Sequence, residues 1–186
     1  PERVTKPMIS INAVFWILVI LFALIGGVRG WAREILVTFG VILSMFIMNV
    51  LERFVPFIND TLAVAAPAEL FWLRAVVLGL LVFFGYQTPN IPRIAASGRF
   101  VRERLQDVLL GFFLGAVNGF MIWGTLWFYL QTAAYPFSII IPPDPNTPMG
   151  QAAAQLMQFL PPVWLGSPVI YFAVAIAFVF VMVVFI

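Results

Sequence analysis

VLLGFFLGAVNGFMIWGTLWFYL, residues 108–130, is the stretch that decides the fold. Its 23 residues carry no charge. As a helix rising 1.5 Å per residue they cover about 35 Å, enough to cross the roughly 30 Å hydrocarbon layer of a bilayer. Four similar runs accompany it, at about residues 8–28, 35–51, 70–86 and 169–186, and Arg74 is the one charge inside them. Hydrophobic residues make up 63% of the chain, charged residues 10%, and the mean hydropathy is +1.05, too little polar surface for a domain dissolved in water. The pattern predicts an all-α integral membrane protein. It is a polytopic bundle of five transmembrane helices in one membrane domain, with short interfacial amphipathic helices.

The gaps carry the rest of the organisation. The first, residues 29–34, is short and predicts a tight antiparallel hairpin. The second, residues 52–69, holds Pro56, Asp60 and Pro67, with Phe54, Val55, Phe57 and Ile58 dipping into the interface. The third, residues 87–107, turns basic and ends in a short amphipathic helix over about 99–107. The fourth, residues 131–168, is a long loop with a proline-rich turn and a helix over about 148–160, capped by Thr147 with Pro148 in its first turn. That helix has no charge and puts Gln151, Gln155 and Gln158 on one face, which seats it on the membrane surface or on a partner. One side of the membrane then holds Arg3, Lys6 and Arg53, and the other Arg29, Arg33, Arg93, Arg99, Arg102 and Arg104. The positive-inside rule makes the second side cytoplasmic and puts the N-terminus and the long loop outside.

The chain has no Cys and no His. This removes thiol chemistry, zinc held by His or Cys, the usual haem ligands and the commonest general base. The net charge of +2 is too small to suggest nucleic acid. No Asp or Glu falls in mid-span, where a proton relay or a cation-coupled transport site needs one. Arg74 lies about one turn from Glu69 and can snorkel to the interface. Abundant aromatics, Trp16, Trp72, Trp123, Trp127 and Trp164 among them, suit an interfacial belt and can also line a lipid, quinone or pigment cavity.

Two constellations stand out. Gly111, Gly115 and Gly119 recur every fourth residue, with Asn118 on the same broad stripe, and leave a groove for another helix backbone. Gly40 and Ser44 repeat the pattern in the second run as a matching face. The groove serves either packing within this chain or contact with a second copy or a partner. Gly26, Arg29, Gly30, Trp31, Arg33 and Glu34 form the other cluster. It reads either as a tight turn with arginines anchored at the headgroups or as a cytoplasmic docking or anionic-lipid site. Arg93, Arg99, Arg102 and Arg104 add a basic cytoplasmic face.

The stretch from Gly26 to Glu34 resembles the colicin V production protein family of bacterial membrane proteins, whose first helix ends in Gly-x-x-Arg-Gly before an Arg-Glu pair. The stretch from Arg104 to Gly111, followed by Gly115-Ala116-Val117-Asn118-Gly119, is similar to that family's fourth-helix segment, with Asn118 where the pattern has arginine. The two segments also align with each other, Gly26 with Gly115 and Gly30 with Gly119. The resemblance covers about residues 10–130 and four spans. It implies a bacterial inner-membrane protein serving toxin secretion or envelope maintenance, with no catalytic residues. The expectation is therefore a non-catalytic membrane scaffold working through contacts with lipid, other membrane proteins or itself. Two alternatives stand beside it: an accessory structural subunit of a large respiratory or photosynthetic complex, and a small transporter or channel. The last needs a polar path, and Ser44, Asn49, Asn118 and Thr125 are few for one.

Overall fold

A computed structural model describes residues 10–87 and 101–185, with side chains described from Arg104 to Val183 in the second stretch. Among them every regular element is helical. Four helices are long and apolar enough to cross a membrane. These are α1 (Ile11–Arg29), α2 (Trp31–Phe54), α3 (Pro67–Tyr86) and α4 (Val101–Thr132). Two more follow, α5 (Pro148–Met157) and α6 (Val169–Phe185).

Local chemistry sets the ends. The Ser10 side chain accepts the Asn12 N–H and caps α1. Gly30 is the single residue between α1 and α2, and its φ of 87° is a conformation that favours glycine. Pro56 and a π-helical turn, Phe57–Leu62, lead from α2 towards α3, where Pro67 opens the first turn. Nothing between Asp107 and Val108 breaks a helix, so the amphipathic segment expected over 99–107 continues from Val101 into the fourth span. The resulting 32 residues are about 48 Å long, which carries Arg104 and Asp107 beyond the hydrocarbon layer. Thr147 caps α5, its hydroxyl accepting the Gly150 N–H at 3.1 Å.

The principal neighbour of α1 is α4, not α2. The turn is as short as the sequence suggests, but the hairpin opens because glycines bring α1 and α4 closer than side chains allow. A Cβ on Gly26 would lie 2.7 Å from Gly115 Cα, and one on Gly119 would lie 3.0 Å from Val19 Cα. The pair runs antiparallel, with Gly26 against Gly111 and Gly115 at one end and Phe15 against Trp127, ring centroids 5.5 Å apart, at the other. Helix α2 takes the centre. Gly40 and Gly85 let α3 approach it, and α6 stacks Phe180 on Phe39 and Tyr171 on Phe46. The Tyr171 hydroxyl donates to Asn49 Oδ1 at 3.0 Å. Val37, Val41, Met45, Leu78, Met121, Ile122, Leu165 and Ile170 form the core between these helices.

The region expected as a surface loop reaches into the bundle. Helix α5 turns Ala153 and Met157 onto Phe15 and Trp127 and leaves Gln151, Gln155 and the following Gln158 exposed. Beyond it Leu160 and Pro161 pack where a Cβ on Gly124 would be, at 3.2 and 2.9 Å, and Leu165 joins the core beside Met121 and Ile122. Gly124 is eight residues, about 12 Å, inward of Thr132. Residues 148–164 and 169–183 are together long and apolar enough for one more span, broken and bent by 59° between them, or for a re-entrant loop. Pro161, Pro162 and Pro168 have no N–H to lose, and Val163 and Leu165 donate to the Leu160 and Pro161 carbonyls at 3.0 and 2.8 Å.

Candidate functional site

Polar groups of four spans gather around Glu34. The residue sits one turn into α2 and is wholly buried. A carboxylate cannot stay charged in such a place without partners, and three helices supply them. Arg29, the last residue of α1, places Nη1 2.7 Å from Oε1. Asn118 of α4, also wholly buried, donates Nδ2 to Oε2 at 2.8 Å and to the Glu34 backbone carbonyl at 2.9 Å. Thr38, one turn along α2, donates its hydroxyl to Asn118 Oδ1 at 2.7 Å. Helix α3 closes the group. Arg29 Nη2 donates to the Tyr86 carbonyl at 3.1 Å, and the guanidinium lies 4.1 Å over the Tyr86 ring. The Tyr86 hydroxyl is buried without a hydrogen-bond partner in the structure.

Asp107 completes the turn from below. Its Oδ1 accepts the Trp31 N–H at 3.2 Å, at the start of α2 where a negative charge is favoured. A Cβ on Gly30 would lie 2.8 Å from Asp107 Oδ2, so Gly30 is required for space as well as for its φ.

The two aligned glycine segments turn out to be opposite halves of one crossing. Gly26 meets Gly115, Gly30 meets Gly111, and Gly119 meets Phe22. An antiparallel pair related by a local two-fold has this pattern. The polar residues three positions after the aligned glycines, Arg29 and Asn118, take the two oxygens of the same carboxylate.

The structure therefore brings Gly26, Arg29, Gly30, Trp31, Glu34, Gly111, Gly115, Asn118 and Gly119 together. It also changes how several of them work. Arg29 is turned inward to Glu34 and not out to headgroups, because the buried carboxylate needs its charge. The glycine groove is filled by α1. Gly40 does not match it: a Cβ there would lie 2.7 Å from the Leu81 carbonyl oxygen on α3. Ser44 is buried and returns its hydroxyl to the Val41 carbonyl at 2.7 Å. Arg33 is half-buried and Arg104 exposed, while Arg93, Arg99 and the Arg102 side chain lie outside the described residues.

A second charged group lies at the other end of α2. Arg74 Nε is 2.7 Å from Glu52 Oε1, and Nη1 donates to the Thr132 hydroxyl at 3.1 Å. Arg74 also lies 5.1 Å over the Tyr129 ring. It is held by partners on α2 and α4, where snorkelling alone was expected. Thr38, Tyr86 and Glu52 escape the sequence reading. Thr38 has the signal of lying four residues after Glu34, whereas Tyr86 and Glu52 sit at span ends and look like ordinary interfacial residues.

No family model matches the chain, and neither the characterised proteins nor the solved structures it was compared with match it.

Proposed function

We propose that this chain is a non-catalytic integral membrane scaffold, of the kind implied by its resemblance to the colicin V production family. The observation that supports this reading is the saturation of Glu34. Both carboxylate oxygens and the backbone carbonyl are bound from within the chain, so the site's polar chemistry is used in tying four spans together. In this reading the protein lies in a bacterial inner membrane, with the Glu34 end cytoplasmic and the N-terminus outside, and works through contacts with lipid and other membrane proteins. Gentle solubilisation, native-gel separation and mass spectrometry of the band test it. A small band of this chain alone is the expected result. Solute flux through proteoliposomes of the purified chain would overturn it.

One observation favours a second reading, an accessory structural subunit of a large respiratory or photosynthetic complex. Gly79 sits in mid-span on the exposed face of α3 with nothing within 4 Å of a Cβ placed there, between Val76, Leu80 and Phe83, all exposed. A notch of this kind suits a neighbouring helix. A large band rich in cofactor-bearing subunits selects this reading over the first.

A further inference from the structure

The break in the fifth span borders a cavity. Trp164, from the single helical turn Pro161–Trp164, forms one wall of a groove of about 400 Å³ between α1 and α4. Trp16 and Val19 of α1 and Phe113, Ala116 and Phe120 of α4 line it. Two rulers give its depth. The uncharged part of α4, residues 108–130, is centred on Gly119, and Val19 lies against Gly119. Phe113 is six residues, about 9 Å, to one side of that level, and Trp16 three residues, about 4.5 Å, to the other. The groove is therefore centred on the middle of the hydrocarbon layer.

We propose that this groove is a binding site for one acyl chain of a membrane phospholipid, kept open by the break in the fifth span. Chemistry, size and construction support it. The lining offers hydrocarbon and ring surface, and the Trp164 indole N–H is already given to the Phe159 carbonyl at 3.1 Å. A transmembrane helix 10–12 Å across fills roughly 900–1,400 Å³ over a 12 Å length, two to three times the room available, whereas an extended chain fits. Non-helical backbone at this depth persists only where protein or a cavity shelters it. Leu160 and Leu165 shelter the inner side of the break, and Trp164, half exposed, stands between its outer side and the groove.

The test is photolabelling of the full chain in phosphatidylethanolamine/phosphatidylglycerol vesicles doped with a phosphatidylethanolamine bearing a mid-chain diazirine. Peptides carrying Phe113–Phe120 and Trp164 should label roughly tenfold more than the equally apolar Phe172–Ile176 face of α6, a preference of about 1.4 kcal/mol. Ala116→Phe, which fills the groove, should abolish the excess while leaving the labelling of α6 unchanged. Even labelling of the groove and the α6 face in the parent chain would overturn the proposal, whether or not Ala116→Phe folds. So would excess labelling that survives in a folded Ala116→Phe. Displacement of the label by added isoprenoid quinone, but not by unlabelled phosphatidylethanolamine, would assign the groove to a different ligand and overturn it as well.

Discussion

The two ends of α2 carry the same chemical pair in two environments. Glu34 and Glu52 stand 18 residues, about 27 Å, apart on one helix, and each holds an arginine at 2.7 Å. The Glu34 side chain has no exposed surface, whereas that of Glu52 keeps 31% and its partner Arg74 keeps 15%. The Glu34 pair sits in a buried set of hydrogen bonds, with Asn118 donating to the carboxylate, Thr38 donating to Asn118 and the Tyr86 carbonyl accepting from Arg29. The outer pair shares its charge with Thr132, the Tyr129 ring and the headgroup region. An ion pair's distance therefore says little about its weight. What counts is whether either charge can reach water once its partner is removed.

Removing one carboxylate at a time gives the strongest test of this contrast. Glu34→Ala takes the carboxylate from Arg29 and Asn118, leaves the Arg29 charge without its counter-charge and should cost about 3–5 kcal/mol, while Glu52→Ala should cost roughly 1 kcal/mol or less. Thermal unfolding in detergent micelles reads both, and equal losses at the two ends would break the comparison. Replacing Arg29 and Glu34 together by methionine should recover much of the Glu34→Ala loss, because no buried charge is then left unpaired.

Asn118→Leu comes next, at about 1–3 kcal/mol. It leaves Glu34 Oε2 without its partner in a place water does not reach, and the Thr38 hydroxyl with only the Glu34 carbonyl at 3.2 Å. Accelerated hydrogen exchange at the start of α2, with α6 unchanged, would locate the effect at the inner end. A loss spread evenly over the bundle would count against a local role.

The smallest effect belongs to the outer end. Tyr135 lies beyond α4 and accepts the Trp127 Nε1–H at 3.1 Å. Burial pushes its phenol above the ordinary value of about 10, and the Trp127 donor pulls less strongly the other way. A raised folded value means that its stability contribution is complete below about pH 10 and is lost as pH climbs through the folded value. The parent chain should therefore lose stability on alkaline titration more steeply than Tyr135→Phe. Parallel titration curves would show that the phenol is not buried as the structure has it.

Much of the fold was legible in residues 8–130, because spans announce themselves by composition and need no tertiary partner to be recognised. The same logic found the fifth run, where α6 lies, but missed that residues 153–165 pack into the bundle. Residues 131–168 contain eight prolines and scattered polar residues, which look like a loop in water. Prolines are tolerated against the bundle here because their missing N–H groups ask for nothing, and the Pro161 and Pro168 carbonyls accept from the Leu165 and Tyr171 N–H groups. The glycine stripe was visible as a stripe, and the choice between a neighbouring molecule and α1 was not.

By itself the sequence determined the membrane class, the four spans α1 to α4, the turn at Gly30 and the list of polar residues available to them. Tertiary structure decided which of those residues meet. Asn118 lies 84 residues from Glu34, and no local periodicity relates them. They meet because Gly26, Gly111 and Gly115 let α1 and α4 close to backbone contact, which brings the end of α1 and the middle of α4 to the first turns of α2. The inward orientation of Arg29 has the same origin. At the end of an isolated hairpin its charge would face headgroups and water. In the closed bundle the nearest unpaired charge is Glu34, buried where only a residue of the chain itself can reach it.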